Sequence, residues 1–157
     1  MEPTTLAQQL AALMADVPYE TANLANASAL LWQRLPGINW AGFYKMTEGA
    51  LVLGPFQGKP ACIRIPLGKG VCGRAAQEDR ILRVENVHAF PGHIACDSAS
   101  NSEIVIPLHC HGRIWGVLDI DSPALGRFTP QDEALLVQAA KALEEMLAFC
   151  NSSRLEK

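Results

Sequence analysis

Apolar residues recur at helical spacing in three stretches of the chain and cluster into short β-type runs between them. Leu6, Leu10, Leu13 and Met14 share one face of a helix predicted over residues 6–15, with Thr4 or Thr5 placed to cap its first turn. Beyond Pro18, the positions Leu24, Ala27, Leu31 and Leu35 predict a second helix over residues 21–35, which Pro36-Gly37 ends. Leu135, Leu136, Ala139, Leu143, Met146 and Leu147 predict the last helix, which starts at Thr129-Pro130-Gln131-Asp132 and runs to about Phe149. Between the helices, strands are predicted over 39–46 and 50–56, joined at Glu48-Gly49, and over 62–66 and 81–84. Two more, 102–108 and 113–120, meet at a turn of His111-Gly112. A short helix over 71–77 opens beside Cys72. The order αα–ββ–βαβ–ββ–α predicts an α+β fold, a central, mainly antiparallel sheet flanked by helices.

The 157 residues suit a single domain: N-terminal helices at about 5–35, sheet and a long loop at about 39–121, and a C-terminal helix at about 130–150. Hydrophobic residues make up 49% and charged ones 18%, values of a globular chain. A net charge of −3 argues against nucleic acid as a partner, because little would offset phosphate charge. No apolar run approaches the ~20 residues of a membrane span. The first residues lack the basic and apolar regions of a signal peptide, so a cytoplasmic protein is expected.

Five cysteines, an odd number, narrow the chemistry: Cys62, Cys72, Cys96, Cys110 and Cys150. In a reducing compartment, cysteines are core filler, metal ligands or redox groups. Cys96 lies in His93-Ile94-Ala95-Cys96-Asp97, inside the polar loop 85–101, a setting that leaves a thiol accessible and reactive. Cys62 and Cys72 stand at a strand start and beside a helix N-terminus, whose dipole lowers a thiol pKa. Either is a disulfide partner for Cys96 or a packing residue. Cys110 and Cys150 read as packing residues. A zinc site is not expected: His88, His93, Cys96, His109, Cys110 and His111 offer ligand atoms, but without a C-x₂-C pair.

A second constellation is acidic. Asp119 and Asp121 leave one strand on the same face, and the His111-Gly112 turn sets Glu103 opposite about residue 120. Three carboxyls at one strand end either bind a cation or keep one member protonated as a hydrogen-bond donor. Gly68–Gly73 matches G-x-G-x-x-G, but the hairpins around it are not a doubly wound sheet, and its glycines read as turn residues. Trp40, in Asn39-Trp40-Ala41-Gly42-Phe43-Tyr44, is either core or the wall of an apolar pocket.

On these residues the sequence resembles the free methionine-(R)-sulfoxide reductases, small enzymes of the GAF-domain type. The resemblance rests on NWAGFY (39–44), LGPFQGKPACIRI (53–65), GKGVCG (68–73), VHAFPGHIACD (87–97), SNSEIVIP (100–107) and GVLDIDSP (116–123), and spans roughly residues 20–150. It implies a GAF-type fold and reduction of the R-epimer of free methionine sulfoxide. It implies Cys96 as catalytic thiol, Cys62 as the preferred resolving thiol and Cys72 as its alternative. Glu103, Asp119 and Asp121 would hold substrate, with Trp40 near its methyl group, Glu103 favoured as the acid over Asp121. No bound cofactor or metal is implied; thioredoxin would be the external reductant and a homodimer the assembly. A ligand-sensing module without turnover and a peroxide-sensing thiol protein are the competing readings of the same residues.

Overall fold

The computed structural model describes residues 4–93 and 99–155, with side chains of the last helix through Ser152. Helix α1 (Leu6–Met14) opens on a capping box, Thr5 accepting from the Gln8 backbone while Gln8 accepts from that of Thr5. Helix α2 (Glu20–Arg34) and the final helix α4 (Pro130–Leu155) pack beside it. At the start of α4, Thr129 and Asp132 cap each other reciprocally, at 2.9 and 3.1 Å. Leu13 and Leu135, predicted inward, are 41% and 37% exposed. The helical stripe continues through Leu10 and Met14, and through Leu136, Ala139, Ala140 and Leu143, which leaves those two leucines at its edge.

Six strands form one sheet: β1 (Trp40–Thr47), β2 (Ala50–Gly58), β3 (Arg64–Pro66), β4 (Leu82–Val84), β5 (Ser102–Cys110) and β6 (Arg113–Ser122). Their order is β3-β2-β1-β6-β5-β4, and each neighbouring pair is antiparallel. Both hairpins turn on two residues with positive φ, Glu48-Gly49 and His111-Gly112, the mirror-image turn that matches strand twist. Strands β3 and β4 are the two edges of the sheet. Helix α3 (Gly70–Glu78) therefore crosses one face to join them.

That crossing divides the interior in two. Ala41, Phe43, Ile104, Ile106, Leu118 and Ile120 face α1, α2 and α4 in a mainly aliphatic core. Trp40, Tyr44, Val105 and Val117 face the other way, toward α3. No described helix is long and apolar enough to cross a membrane.

Candidate active site

Register decides which side chains meet on the α3 face. Counted straight from the His111-Gly112 turn, where Cys110 pairs with Arg113 and His109 with Ile114, Glu103 would oppose Ile120 and share its face. A bulge intervenes: Leu108 pairs with Gly116, so Trp115 is an extra residue on β6. The slip of one sets Glu103 against Asp121 and Val105 against Asp119. Since one residue of slip exchanges the faces of a strand, this bulge places all three acids together and turns Trp115 into the opposite core.

Glu103 and Asp119 are 8% and 5% exposed. Burial, then the charge of Asp119, pushes Glu103 well above the usual carboxylate range. Burial, then the charge of Asp121, does the same to Asp119. Asp119 Oδ1 has no hydrogen-bond partner, a costly arrangement for a buried acceptor that a bound donor would relieve. The strand ends that carry these acids are held by small polar groups. Ser102 Oγ donates to the Ala124 carbonyl at 2.6 Å, Ser122 Oγ to that of Gly37 at 2.6 Å, and the Asn39 backbone donates to the Asp121 carbonyl at 2.9 Å.

Cys72 points into the same cluster from α3, its thiol 3.8 Å from Glu103 Oε2. The low pKa expected for a thiol at this helix start is overturned: burial, then Asp119 and Glu103, pushes Cys72 up, and no side chain caps the helix. The dipole of a nine-residue helix is outweighed by desolvation and three acids, Asp119, Glu103 and Asp121. Cys72 Sγ and one oxygen each of Glu103 and Asp119 lie within 4.8 Å of one another, close enough to share a cation. Burial favours the neutral form of each group, and hence a shared proton over a metal.

The rest of the pocket is aromatic and backbone-built. Trp40 stacks on Phe56 and Tyr44, with ring centroids 5.1 and 5.9 Å apart. Both polar tips then fix the segment before β3: Trp40 Nε1 donates to the Lys59 carbonyl at 3.1 Å, and Tyr44 Oη to that of Cys62 at 3.0 Å. Two aromatic rings on β1 thus hold Cys62 near the pocket, where Pro60 and Ala61 form part of its wall. Cys62 is disulfide-bonded, whereas Cys72, Cys110 and Cys150 are free thiols. In Gly68–Gly73 the last glycine is a close-packing residue, since a Cβ there would meet the Pro66 carbonyl oxygen at 2.5 Å. The Gly70 backbone donates to the Gly92 carbonyl at 3.1 Å and ties α3 to the long loop, which contains a 3₁₀ turn at Val87–Ala89.

Of the residues expected from sequence, Trp40, Cys72, Glu103, Asp119 and Asp121 line one pocket. Cys96 lies outside the described residues. His93, which the sequence offers only as a zinc ligand, also lines the pocket, as do Tyr44 and Ser100, which are given no role by the sequence reading. Tyr44 was within reach of it, being two residues from Gly42 and four from Trp40 on the same strand face.

Comparison with known proteins bears on this pocket. Residues 5–147 match the GAF domain family. The chain is 59% identical to the free methionine-R-sulfoxide reductase of Escherichia coli over 87% of its own length and 83% of that protein. It is 44% identical to the Saccharomyces cerevisiae enzyme of the same name, over 81% and 75%. The free methionine-R-sulfoxide reductase of Neisseria meningitidis, solved in complex with its substrate, superposes with a TM-score of 0.90 at 43% identity, covering 94% of this chain and 89% of that one. The α+β fold with its antiparallel sheet, the acid-lined pocket and these likenesses together make the chain a member of the GAF-domain family of free methionine-R-sulfoxide reductases.

Proposed function

We propose that this chain reduces free L-methionine-(R)-S-oxide to L-methionine. The observation that carries the reading is the group of buried Glu103 and Asp119 with half-buried Asp121, with an unpartnered Asp119 oxygen, on the wall of an aromatic pocket. A carboxyl kept neutral by burial donates a hydrogen bond to the sulfoxide oxygen, and an ionised neighbour holds the α-ammonium that only a free amino acid offers. Glu103 is the proposed acid, and Trp40 packs against the substrate methyl.

The polarised sulfur is attacked by the Cys96 thiolate. The sulfoxide oxygen passes to Cys96 as a sulfenic acid, with the donated proton, and methionine leaves. Cys62 then condenses with the sulfenic acid, forming an S–S bond and releasing water. In support, Cys62 stands beside the pocket wall and is disulfide-bonded, while Cys72, inside the pocket and flanked by acids, is a free thiol whose pKa is raised by burial. Thioredoxin returns the disulfide to two thiols. The same reading places the protein in the cytoplasm as a homodimer, which sedimentation velocity would check.

The test is NADPH consumption with thioredoxin and thioredoxin reductase on separated R and S epimers of free methionine sulfoxide, beside a peptide-linked sulfoxide. Turnover of the free R epimer alone is expected, and none after Cys96→Ser. Full turnover by that variant, or none by folded and reduced wild-type protein, would overturn the proposal.

A further inference from the structure

The disulfide of Cys62 must be reached from outside to be reduced, and the surface beside it differs from the rest of the molecule. From Gly49 to Gln77 the chain has no Asp or Glu, yet it carries Lys59, Arg64, Lys69 and Arg74, in a protein whose acids otherwise outnumber its cations. Lys59, Arg64 and Lys69 are exposed, and none forms an ion pair among the described residues. Two large apolar side chains emerge within the same stretch, Ile63 at 73% exposure next to Cys62, and Leu67 at 37%. Cys62 itself is partly exposed, at the entrance to β3, an edge strand of the sheet among the described residues.

We propose that the surface formed by Lys59, Ile63, Arg64, Leu67 and Lys69 docks the protein that reduces the Cys62 disulfide, a dithiol protein with an acidic rim around an apolar contact. The proposal rests on the reductase reading and adds where its reductant binds. Unpaired cations around an apolar centre steer an acidic partner and set its orientation, while the apolar contact excludes water from the exchanging sulfurs. A thiolate of the partner attacks Cys62 Sγ and forms an intermolecular S–S bond. The sulfur that was bonded to Cys62 leaves as a thiolate and takes up a proton. The partner's second thiol then loses its proton, attacks its own bonded sulfur and releases Cys62 as a thiol. Two electrons have passed to the enzyme, and the partner departs as a disulfide.

The experiment compares turnover of free (R)-methionine sulfoxide driven by thioredoxin, the dithiol protein used as probe, with turnover driven by dithiothreitol. The variants are Lys59→Glu/Arg64→Glu/Lys69→Glu, the milder Gln triple, and Ile63→Asp. The Glu triple is expected to raise the KM for thioredoxin by about tenfold or more and the Gln triple less, with dithiothreitol-driven turnover unchanged. Rising salt should weaken thioredoxin-driven turnover of the wild type and spare the dithiothreitol reaction. Unchanged thioredoxin KM in variants that still turn over with dithiothreitol would overturn the docking surface and leave the reductase reading intact. A change of oligomeric state in the Glu triple would overturn it by making the patch a self-interface. Failure of the wild type with both reductants would remove the reductase reading and the docking surface with it.

Discussion

The two faces of one sheet differ in what they bury. On β6, Leu118 and Ile120 enter a mainly aliphatic core beneath α1, α2 and α4, while Asp119 and Asp121 face the pocket under α3. On β5, Ile104 and Ile106 enter the core and Glu103 the pocket. Alternation along a strand thus lets adjacent residues serve opposite ends: one face holds the fold by apolar burial, the other spends some of that stability to bury acids. The pocket face keeps an apolar cluster of its own, with Leu51, Val105 and Val117 packed around the acids' strands.

Moving an acid by one position should break this division most severely. Ile120→Asp places an unpaired charge where exposure is 0%, and a loss of about 4 kcal/mol or more is expected in urea unfolding, although carboxylates on both sides of it are tolerated. Gly116→Ala attacks the packing between β6 and β1. Its Cβ would lie 2.0 Å from the Tyr44 carbonyl oxygen, backbone that yields little, and overpacking of this kind costs about 1–3 kcal/mol.

Two pH effects sharpen the comparison. Glu103 and Asp119 have raised values in the fold, so their contribution to stability is complete below the ordinary carboxylate range and is lost as pH rises through the raised values. Unfolding free energy should decline over that window, and Asp119→Asn should flatten the decline. His109 gives the smallest effect, well away from the pocket. Burial opposes its charge, but hydrogen bonds to Asp79 at 2.7 Å and Glu144 at 2.8 Å outweigh that and raise it. Its stabilisation is present below the ordinary histidine value of ~6.5 and lost as pH rises through the raised one. His109→Gln should remove only that segment of the pH–stability curve.

Much of this arrangement was legible in the sequence, for reasons that differ by element. The helical stripes of α1, α2 and α4 and the capping residues Thr5 and Thr129 are local signals, and they placed the helix starts within a residue, whereas α4 runs on to Leu155, past the expected end near Phe149. The pairing of β5 with β6 followed from a two-residue turn. The Trp115 bulge did not, because a bulge arises from packing across the sheet and has no local mark in Arg113-Ile114-Trp115-Gly116. Without it the acids could be brought to one strand end, but not to one face. Cys72 shows the converse limit. Its place at a helix start was readable, while the acids that reverse its expected pKa come from β5 and β6, distant in the chain. Ser102 and Ser122, fully buried and anchoring the acid-bearing strand ends, are short polar residues with no pattern of their own.

The division between a stabilising face and a chemical face is tested most directly by Asp119→Asn, assayed for kcat/KM on free (R)-methionine sulfoxide and for unfolding free energy at the same pH. Turnover is expected to fall by about 100-fold or more, the scale of removing one acid or charge-stabilising group, with stability equal to or above that of the wild type. Undiminished turnover, or a loss of several kcal/mol of stability, would contradict the account.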